Sequence, residues 1–373
     1  MASLFSKPPG RPHAPDYVII VCTILLIVIG LAMLTSASSD RGQVNFGDSY
    51  FYLKHQIFYG LTLGIAGFLL GSRMYYRRWQ SMAIPLIAVS FFLLALVFTP
   101  FGLRSGGAAR WIQLGPVAFQ PSEFLKITFI VYIASWLSTR TNRHQEFWGG
   151  YFPFLAILGV TSLLLIFQPS TSVAAVLVTS ALIMYFASGA RLSYIFGTML
   201  ICVVGLAVLA LVTPYRLQRI MTFMHPDTNT QGSGYQINQA LTAIGSGGLW
   251  GVGYGQSTTK LKYLPQPIDD SIFAVIAEEL GFAGASFIIA LFAILALRCF
   301  IVAKKAPDKF GQLLLIGFGS LLTLQTFMHI GANSGLTPLT GVPLPFISYG
   351  GTALAIFMTI SGIMVNVSQY SSL

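Results

Sequence analysis

The chain has 373 residues, 55% hydrophobic and only 9% charged, with 21 Lys and Arg against 11 Asp and Glu for a formal charge of +10. Soluble domains carry roughly 25% charged residues, so this composition, with a mean hydropathy of +0.74, excludes an ordinary soluble enzyme and indicates a polytopic membrane protein. The positive excess does not indicate a nucleic-acid partner, because the basic residues are spread over short loops.

Ten apolar segments follow in chain order: Tyr17–Ser36, Tyr52–Leu70, Met82–Thr99, Phe124–Leu137, Gly150–Phe167, Ser172–Ser188, Leu192–Val212, Ser271–Leu297, Phe310–Ala332 and Thr352–Val367. A helix needs about 20 such residues to cross the hydrocarbon core. The first is longer than a signal-peptide core and lacks a clean small-x-small site after it, so it is expected to remain as an anchor. Cys22, Cys202 and Cys299 lie in or at the end of apolar spans and offer neither a disulfide framework nor a CxxC metal site.

With the N-terminus in the cytoplasm, twelve of the 21 basic residues fall in short cytoplasmic segments, as the positive-inside rule requires. An even number of spans returns the C-terminus to the same side. The expected fold class is therefore an all-α polytopic membrane protein of about ten transmembrane helices, one integral membrane domain over residues 1–373 with a cytoplasmic tail at 1–16. Two informative loops then face outward, 100–123 between helices 3 and 4 and 213–270 between helices 7 and 8. The second is too long for a mere connector. The stretch PLTGVPLPFISYGG (338–351) holds Pro338, Pro343 and Pro345, cannot be a continuous helix, and is expected to re-enter the membrane before helix 10.

Ionisable residues at membrane depth are costly and mark function by default. In QPSEFLK (120–126), Glu123 and Lys126 stand three apart on one helical face and can pair, either as a structural ion pair or as the lining of a polar cavity. Glu278 and Glu279 diverge by roughly 100° around their helix, so they are expected to serve separate partners in supporting roles. Arg104, Arg110, Arg216, Arg219, Lys260 and Lys262 gather in the outer loops. They read either as loop charge near lipid headgroups or as an anion site, where Arg grips phosphate bidentately. Asp269 and Asp270 close the longest loop at the mouth of span eight. No Walker loop, HExxH or GxSxG is present, and no paired interrupted spans of the transporter kind.

The stretches GAARWIQLG (107–115), QPSEFLK (120–126), GYQINQALTAIGSGGLWGVGYGQS (234–257), IFAVIAEELG (272–281) and GLTPLTGVPLPFISYGG (335–351) recur in this order in the SEDS family (shape, elongation, division and sporulation), which the chain resembles over nearly its whole length. Its best-known members are RodA and FtsW. KLKYLP and the N-terminal PDY are closer to FtsW, and GVPLPF is closer to RodA. The resemblance implies a ten-helix glycosyltransferase of the bacterial cytoplasmic membrane that polymerises lipid II into glycan strands on its outer face, with a class B penicillin-binding protein as crosslinking partner.

The family's essential aspartate, in a segment resembling LPExHTDFIFA, aligns with Asp270. This chain departs from that pattern at Gln266 (usually Glu), Ile268 (usually His), Asp269 (usually Thr) and Ser271 (usually Phe), and Ser170 stands where QPDxG carries an acid. The implied roles are Asp270 as general base and Arg104, Arg110, Arg216, Arg219, Lys260 and Lys262 around the departing pyrophosphate, with a divalent cation, Mg²⁺ or Mn²⁺, as an open addition. Glu123, Lys126, Asp269, Glu278, Glu279 and Ser348 are expected to support them. Asp269 is expected to be solvated at the membrane surface; alternatively it raises the pKa of Asp270 or helps hold the metal. Two rival functions share the same features: a lipid II flippase, and a non-enzymatic scaffold that activates the transpeptidase.

Overall fold

A computed structural model describes residues 13–105, 108–115, 117–139, 145–224, 233–262 and 264–372. Helices α1 (Tyr17–Phe46), α2 (Phe51–His55), α3 (Thr62–Arg73), α4 (Arg77–Ser81) and α5 (Ala83–Leu96) precede a small sheet of β1 (Gly102–Ser105), β2 (Ala108–Leu114) and β3 (Val117–Phe119). Ten more helices follow: α6 (Pro121–Ser138), α7 (Phe152–Phe167), α8 (Thr171–Ala187), α9 (Leu192–Val212), α10 (Pro214–Met224), α11 (Ser233–Ser246), α12 (Thr259–Lys262), α13 (Ile272–Lys304), α14 (Lys309–Asn333) and α15 (Gly351–Ser368). π-Helical turns at Gln56–Leu61 and Phe147–Tyr151 lead into α3 and α7.

The ten predicted spans fall on ten helical segments. Among the described residues, seven helices are long and apolar enough to cross a membrane, while α5 and α8 are shorter apolar helices and α6 carries buried charge. The all-α class holds for the membrane helices, and the segment after α5 adds a small antiparallel sheet of order β1-β2-β3, with Gly102 opposite Ile112 and Ile112 opposite Phe119. Its middle strand is the stretch AARWIQL, rich in the β-branched and aromatic side chains Ile112 and Trp111 that suit a pleated surface.

Helix ends follow local chemistry. The Asp16 carboxylate caps the start of α1 by accepting from Val18 N and Ile19 N at 3.0 and 3.3 Å, and the helix runs past the expected end of its apolar segment at Ser36 as far as Phe46. It stops only at Gly47, whose left-handed φ of 69° closes the last turn. Pro121 opens α6, where its missing N–H costs nothing.

The segment 213–270, expected as an outer loop, instead contains α10, α11 and α12. Its glycine-rich turn docks into a break in α13. At Gly281 the backbone leaves the helix with φ 65°, and the freed groups are satisfied by the turn. Val252 N and Gly253 N donate to Glu278 O and Glu279 O at 3.0 and 3.1 Å, while Phe282 N and Ala283 N donate to Gly248 O and Leu249 O at 2.9 and 3.1 Å. Irregular backbone inside a span is tolerated only when protein re-satisfies it in this way.

The core is centred on α14, packed by α6, α8 and α13, with α15 laid closely on α3. α9 lies at the periphery, with most of its large side chains exposed. The approach of α3 to α15 depends on glycine, as in close membrane-helix packing generally: a Cβ at Gly71 would stand 2.8 Å from Thr359 O and 2.9 Å from Ile363 N. Both are backbone atoms and cannot step aside. Gly71→Val should therefore lower the melting temperature in detergent, by the equivalent of about 1–3 kcal/mol. Gly159→Ala, which meets nothing within 4 Å, should leave it unchanged; equal melting of the two variants would contradict this packing.

Candidate active site

Three polar residues spaced by four, Gln325, His329 and Asn333, lie on one face of α14. Gln325 Nε2 donates to Pro343 O at 2.8 Å, His329 Nδ1 to Val342 O at 2.8 Å, and Asn333 Nδ2 to Asp270 O at 2.9 Å. The first two hold the proline-broken segment 334–350, whose carbonyls have no helix in which to pair. That segment in turn grips the acidic turn: Tyr349 N donates to Ile268 O at 3.0 Å and Ser348 Oγ to Asp269 O at 2.9 Å. Three consecutive carbonyls, Ile268, Asp269 and Asp270, are thus each held by a separate donor. Ser348, expected in a supporting role, also accepts from Leu344 N at 2.8 Å. The α14 residues were not singled out in the sequence; their signal is polar side chains at i, i+4 and i+8 within an otherwise apolar span.

The unusual residues of this turn are accommodated by backbone bonds. Gln266 adopts φ 50°, and its carbonyl accepts from Asp269 N and Ser271 N at 3.3 and 3.1 Å. Ser271 Oγ donates to Pro265 O at 2.9 Å and accepts from Gln236 Nε2 at 3.2 Å. Ile268 is buried, and Ser170 Oγ donates to Gln168 O at 3.2 Å.

Asp270 stands in the field of Arg219 and Arg110. Burial pushes its carboxyl up from the ordinary value, and the two guanidiniums oppose that rise. Arg110, on β2, donates to Gln168 O and Pro169 O at 3.2 and 2.6 Å. Arg219, on α10, donates to Leu339 O at 3.1 Å, and Arg216 to Thr213 Oγ1 and Ile166 O at 3.1 and 3.2 Å. Among the described residues none of these three arginines forms a salt bridge, so their positive charge stays available to a ligand. A cavity of about 250 Å³ opens beside them between α8, α9, α10 and α14, with Ser172, Arg216, Arg219, Thr337, Leu339 and Thr340 in its lining.

Other expected site residues are placed elsewhere. Lys260, expected near a phosphate, is spent inside the protein: its ammonium donates to Glu279 at 2.6 Å, Ser36 Oγ at 2.8 Å and Gly255 O at 3.1 Å. Glu279 also accepts from Gly255 N at 3.0 Å. Glu278 serves a different set, Ser257 Oγ at 2.5 Å, Thr258 N at 3.2 Å and the Thr259 hydroxyl, so the two glutamates do have separate partners. Glu123 and Lys126 pair at 2.6 Å, fully buried, and Lys126 Nζ also donates to Gln325 Oε1 at 2.8 Å. This is a structural ion pair beneath the α14 stripe. Arg104 is on β1 and Lys262 ends α12, but their side chains lie outside the described set.

The expectation of a solvated Asp269 is corrected. Its Oδ1 is buried and has no hydrogen-bond partner among the described residues. Burial and then the Asp270 charge push its carboxyl up to about 7, against the pull of Arg41. No group of three or more His, Cys, Asp or Glu suited to a metal stands together among the described residues. The neighbouring carboxylates of Asp269 and Asp270 fit only a cation carried mainly by substrate phosphates, which one or two carboxylates commonly complete.

The chain matches known proteins along almost its full length. A family model described as the cell cycle proteins FtsW, RodA and SpoVE covers residues 16–373. Stage V sporulation protein E of Bacillus subtilis (strain 168) is 38% identical over 362 residues, 97% of this chain and 99% of that protein. A probable peptidoglycan glycosyltransferase FtsW of Geobacter sp. (strain M18) is 38% identical over 359 residues, covering 96% and 98%. Among solved structures, a chain from a peptidoglycan synthase complex that coordinates polymerization and crosslinking superposes with a TM-score of 0.80, at 26% identity over 95% of this chain and 98% of that one. The rod shape determining protein RodA of Thermus thermophilus gives 0.71 at 26% identity, over 96% and 98%.

Two outcomes follow from the buried charges. Lys126→Met leaves Glu123 uncompensated and should cost about 3–5 kcal/mol in detergent unfolding, whereas the double variant with Glu123→Gln should recover most of it; a single variant that melts like the wild type would show the pair to be idle. For Asp269, a folded pKa near 7 against an ordinary 3.8 means the folded state binds the proton more tightly. Its stabilising contribution is complete below 3.8 and lost as pH rises through 7. The melting advantage of Asp269→Asn over the wild type should therefore grow between pH 5 and pH 8.

Proposed function

The chain belongs to the FtsW/RodA/SpoVE family of cell cycle proteins, the SEDS family, and on that premise we propose that it is a peptidoglycan glycosyltransferase that joins lipid II units into glycan strands. The observation that carries this reading is Asp270, its backbone clamped by Asn333 and its carboxylate in the field of Arg110 and Arg219, of which Arg219 also lines a cavity with both polar and apolar side chains.

Glycosyl transfer from a lipid diphosphate needs a base for the acceptor hydroxyl and positive charge for the leaving group. Asp270 takes the hydroxyl proton as the oxygen attacks the anomeric carbon. The C–O bond to the diphosphate breaks on the opposite side, giving inversion, and the charge that develops there is met by Arg219, Arg216 and Arg110 without a competing carboxylate bond. Positioned donors of this kind act most strongly where water is excluded. The apolar wall from Leu206, Leu209 and Ile220 suits a lipid tail. A divalent cation, Mg²⁺ or Mn²⁺, carried by the substrate's diphosphate would add charge neutralisation.

The same reading includes ten crossings of the bacterial cytoplasmic membrane, both termini in the cytoplasm, the acidic turn on the outer face, and a class B penicillin-binding protein as partner. Support comes from the relatives' names, which include stage V sporulation protein E and glycosyltransferases called FtsW, and from the synthase complex that a structural neighbour forms. The FtsW relatives at 38% identity, against 26% for the RodA structure, favour the FtsW side of the family.

The test is synthesis of glycan from lipid II in detergent by the purified protein with its transpeptidase partner. Wild type should make strands there, where a flippase has no bilayer to cross. Asp270→Asn should lower the rate about 10²–10⁴-fold; strands made at the wild-type rate would remove Asp270 from the chemistry. Arg219→Gln removes a charge that opposes the rise of the Asp270 carboxyl. Because the base must be ionised, the acid limb of the pH–rate profile should move to higher pH, and a limb that stays in place would contradict the assignment.

A further inference from the structure

The two adjacent aspartates look toward different walls. Asp270 lies in the field of Arg219 and Arg110, from α10 and β2, whereas the cation that reaches Asp269 is Arg41, near the outer end of α1. Arg41 Nη1 stands 3.4 Å from Gln266 Oε1, a long contact at the start of the same turn. On that side Asp269 also faces Tyr349, whose hydroxyl bonds His55 Nδ1 at 3.0 Å and whose ring receives the edge of Tyr52 at 5.2 Å. This wall holds hydroxyl, guanidinium and aromatic faces, while the other holds guanidiniums, of which Arg219 lines the cavity of about 250 Å³.

Asp269 is also left incomplete. Its backbone carbonyl is taken by Ser348, yet its buried Oδ1 receives no donor among the described residues. An unmade hydrogen bond to a buried acceptor costs about 1–3 kcal/mol, more if it is charged, and a ligand that brings a donor recovers that cost on binding. Clamping of the turn by Ser348 and Asn333 fixes the spacing between this acceptor and Asp270.

We propose that Asp269 is a substrate-positioning residue of this chain, whose free carboxylate oxygen accepts a hydrogen bond from a sugar hydroxyl of the acceptor and so turns the attacking hydroxyl toward Asp270. It rests on the lipid-linked sugar substrate proposed above. The turn then separates two jobs: the Arg110 and Arg219 side holds the departing diphosphate, and the Asp269, Arg41 and Tyr349 side reads the sugar. Asp269 does not itself take the proton.

Binding decides this without turnover. In the Asp270→Asn background, affinity is measured for two probes, lipid II and undecaprenyl diphosphate, which lacks sugar. Adding Asp269→Ala should weaken lipid II binding about 10-fold, the equivalent of one hydrogen bond to a charged group, and leave undecaprenyl diphosphate unchanged. Asp269→Asn keeps an acceptor oxygen and should stay within about threefold of the parent for lipid II. Arg219→Gln should weaken both probes. Equal losses for both probes on Asp269→Ala, or none for either, would overturn the proposal; if the alanine variant does not fold, Asp269→Val provides the same comparison. Wild-type protein that binds lipid II but makes no strands would sink the polymerase reading while leaving the Asp269 result to stand or fall by itself.

Discussion

Carbonyl groups at membrane depth must be hydrogen-bonded by protein, because lipid offers no substitute. Here the segment 334–350, broken by Pro338, Pro343 and Pro345, creates several such carbonyls, and α14 answers two of them with Gln325 and His329. The same stripe reaches upward through Asn333 to the carbonyl of Asp270 and downward through Gln325 to the Lys126–Glu123 pair. One helix face therefore ties the buried ion pair, the irregular segment and the acidic turn into a single unit. The second tie, from Ser348 and Tyr349, makes the turn rigid from both sides.

Charge is divided with similar consequence. Five acids are occupied by structure: Asp16 with Arg298, Asp308 with Arg77, Glu123 with Lys126, and Glu278 and Glu279 with the 255–260 stretch. Lys260, though in the basic group of the outer segments, belongs to this internal set. What remains around the turn are Asp269 and Asp270 against arginines bonded to carbonyls and hydroxyls. A site that binds a diphosphate needs that imbalance, since a guanidinium already paired to a carboxylate has little left to offer a phosphate.

Much of this was legible in the sequence, for reasons that differ by residue. Long apolar runs gave the membrane helices, because hydrocarbon thickness sets their length. Three prolines within eight residues ruled out a helix at 338–345, because each removes a donor. The three-residue spacing of Glu123 and Lys126 foretold their pairing. The sheet of β1, β2 and β3 was missed because its strands are short and their polar and apolar residues do not alternate cleanly. The docking of the 247–253 turn into α13 was invisible because it depends on Gly281 leaving the helix at a place where periodicity is unbroken. The burial of Asp269 was also out of reach, because the segment that grips its turn, through Ser348 and Tyr349, is distant in sequence.

The α14 stripe sets the position of the carboxylate proposed as the base, and Asn333 isolates that effect most directly, since its amide bonds the carbonyls of Asp270 and His329 and no charged group. Steady-state kinetics of lipid II polymerisation by Asn333→Ala, read beside its melting temperature, decide the matter. The account predicts a fall in kcat of at least about 10-fold, one hydrogen bond's worth of positioning, with KM within about twofold and melting lowered by only a few degrees. A kcat equal to that of the wild type in a correctly folded variant would contradict it.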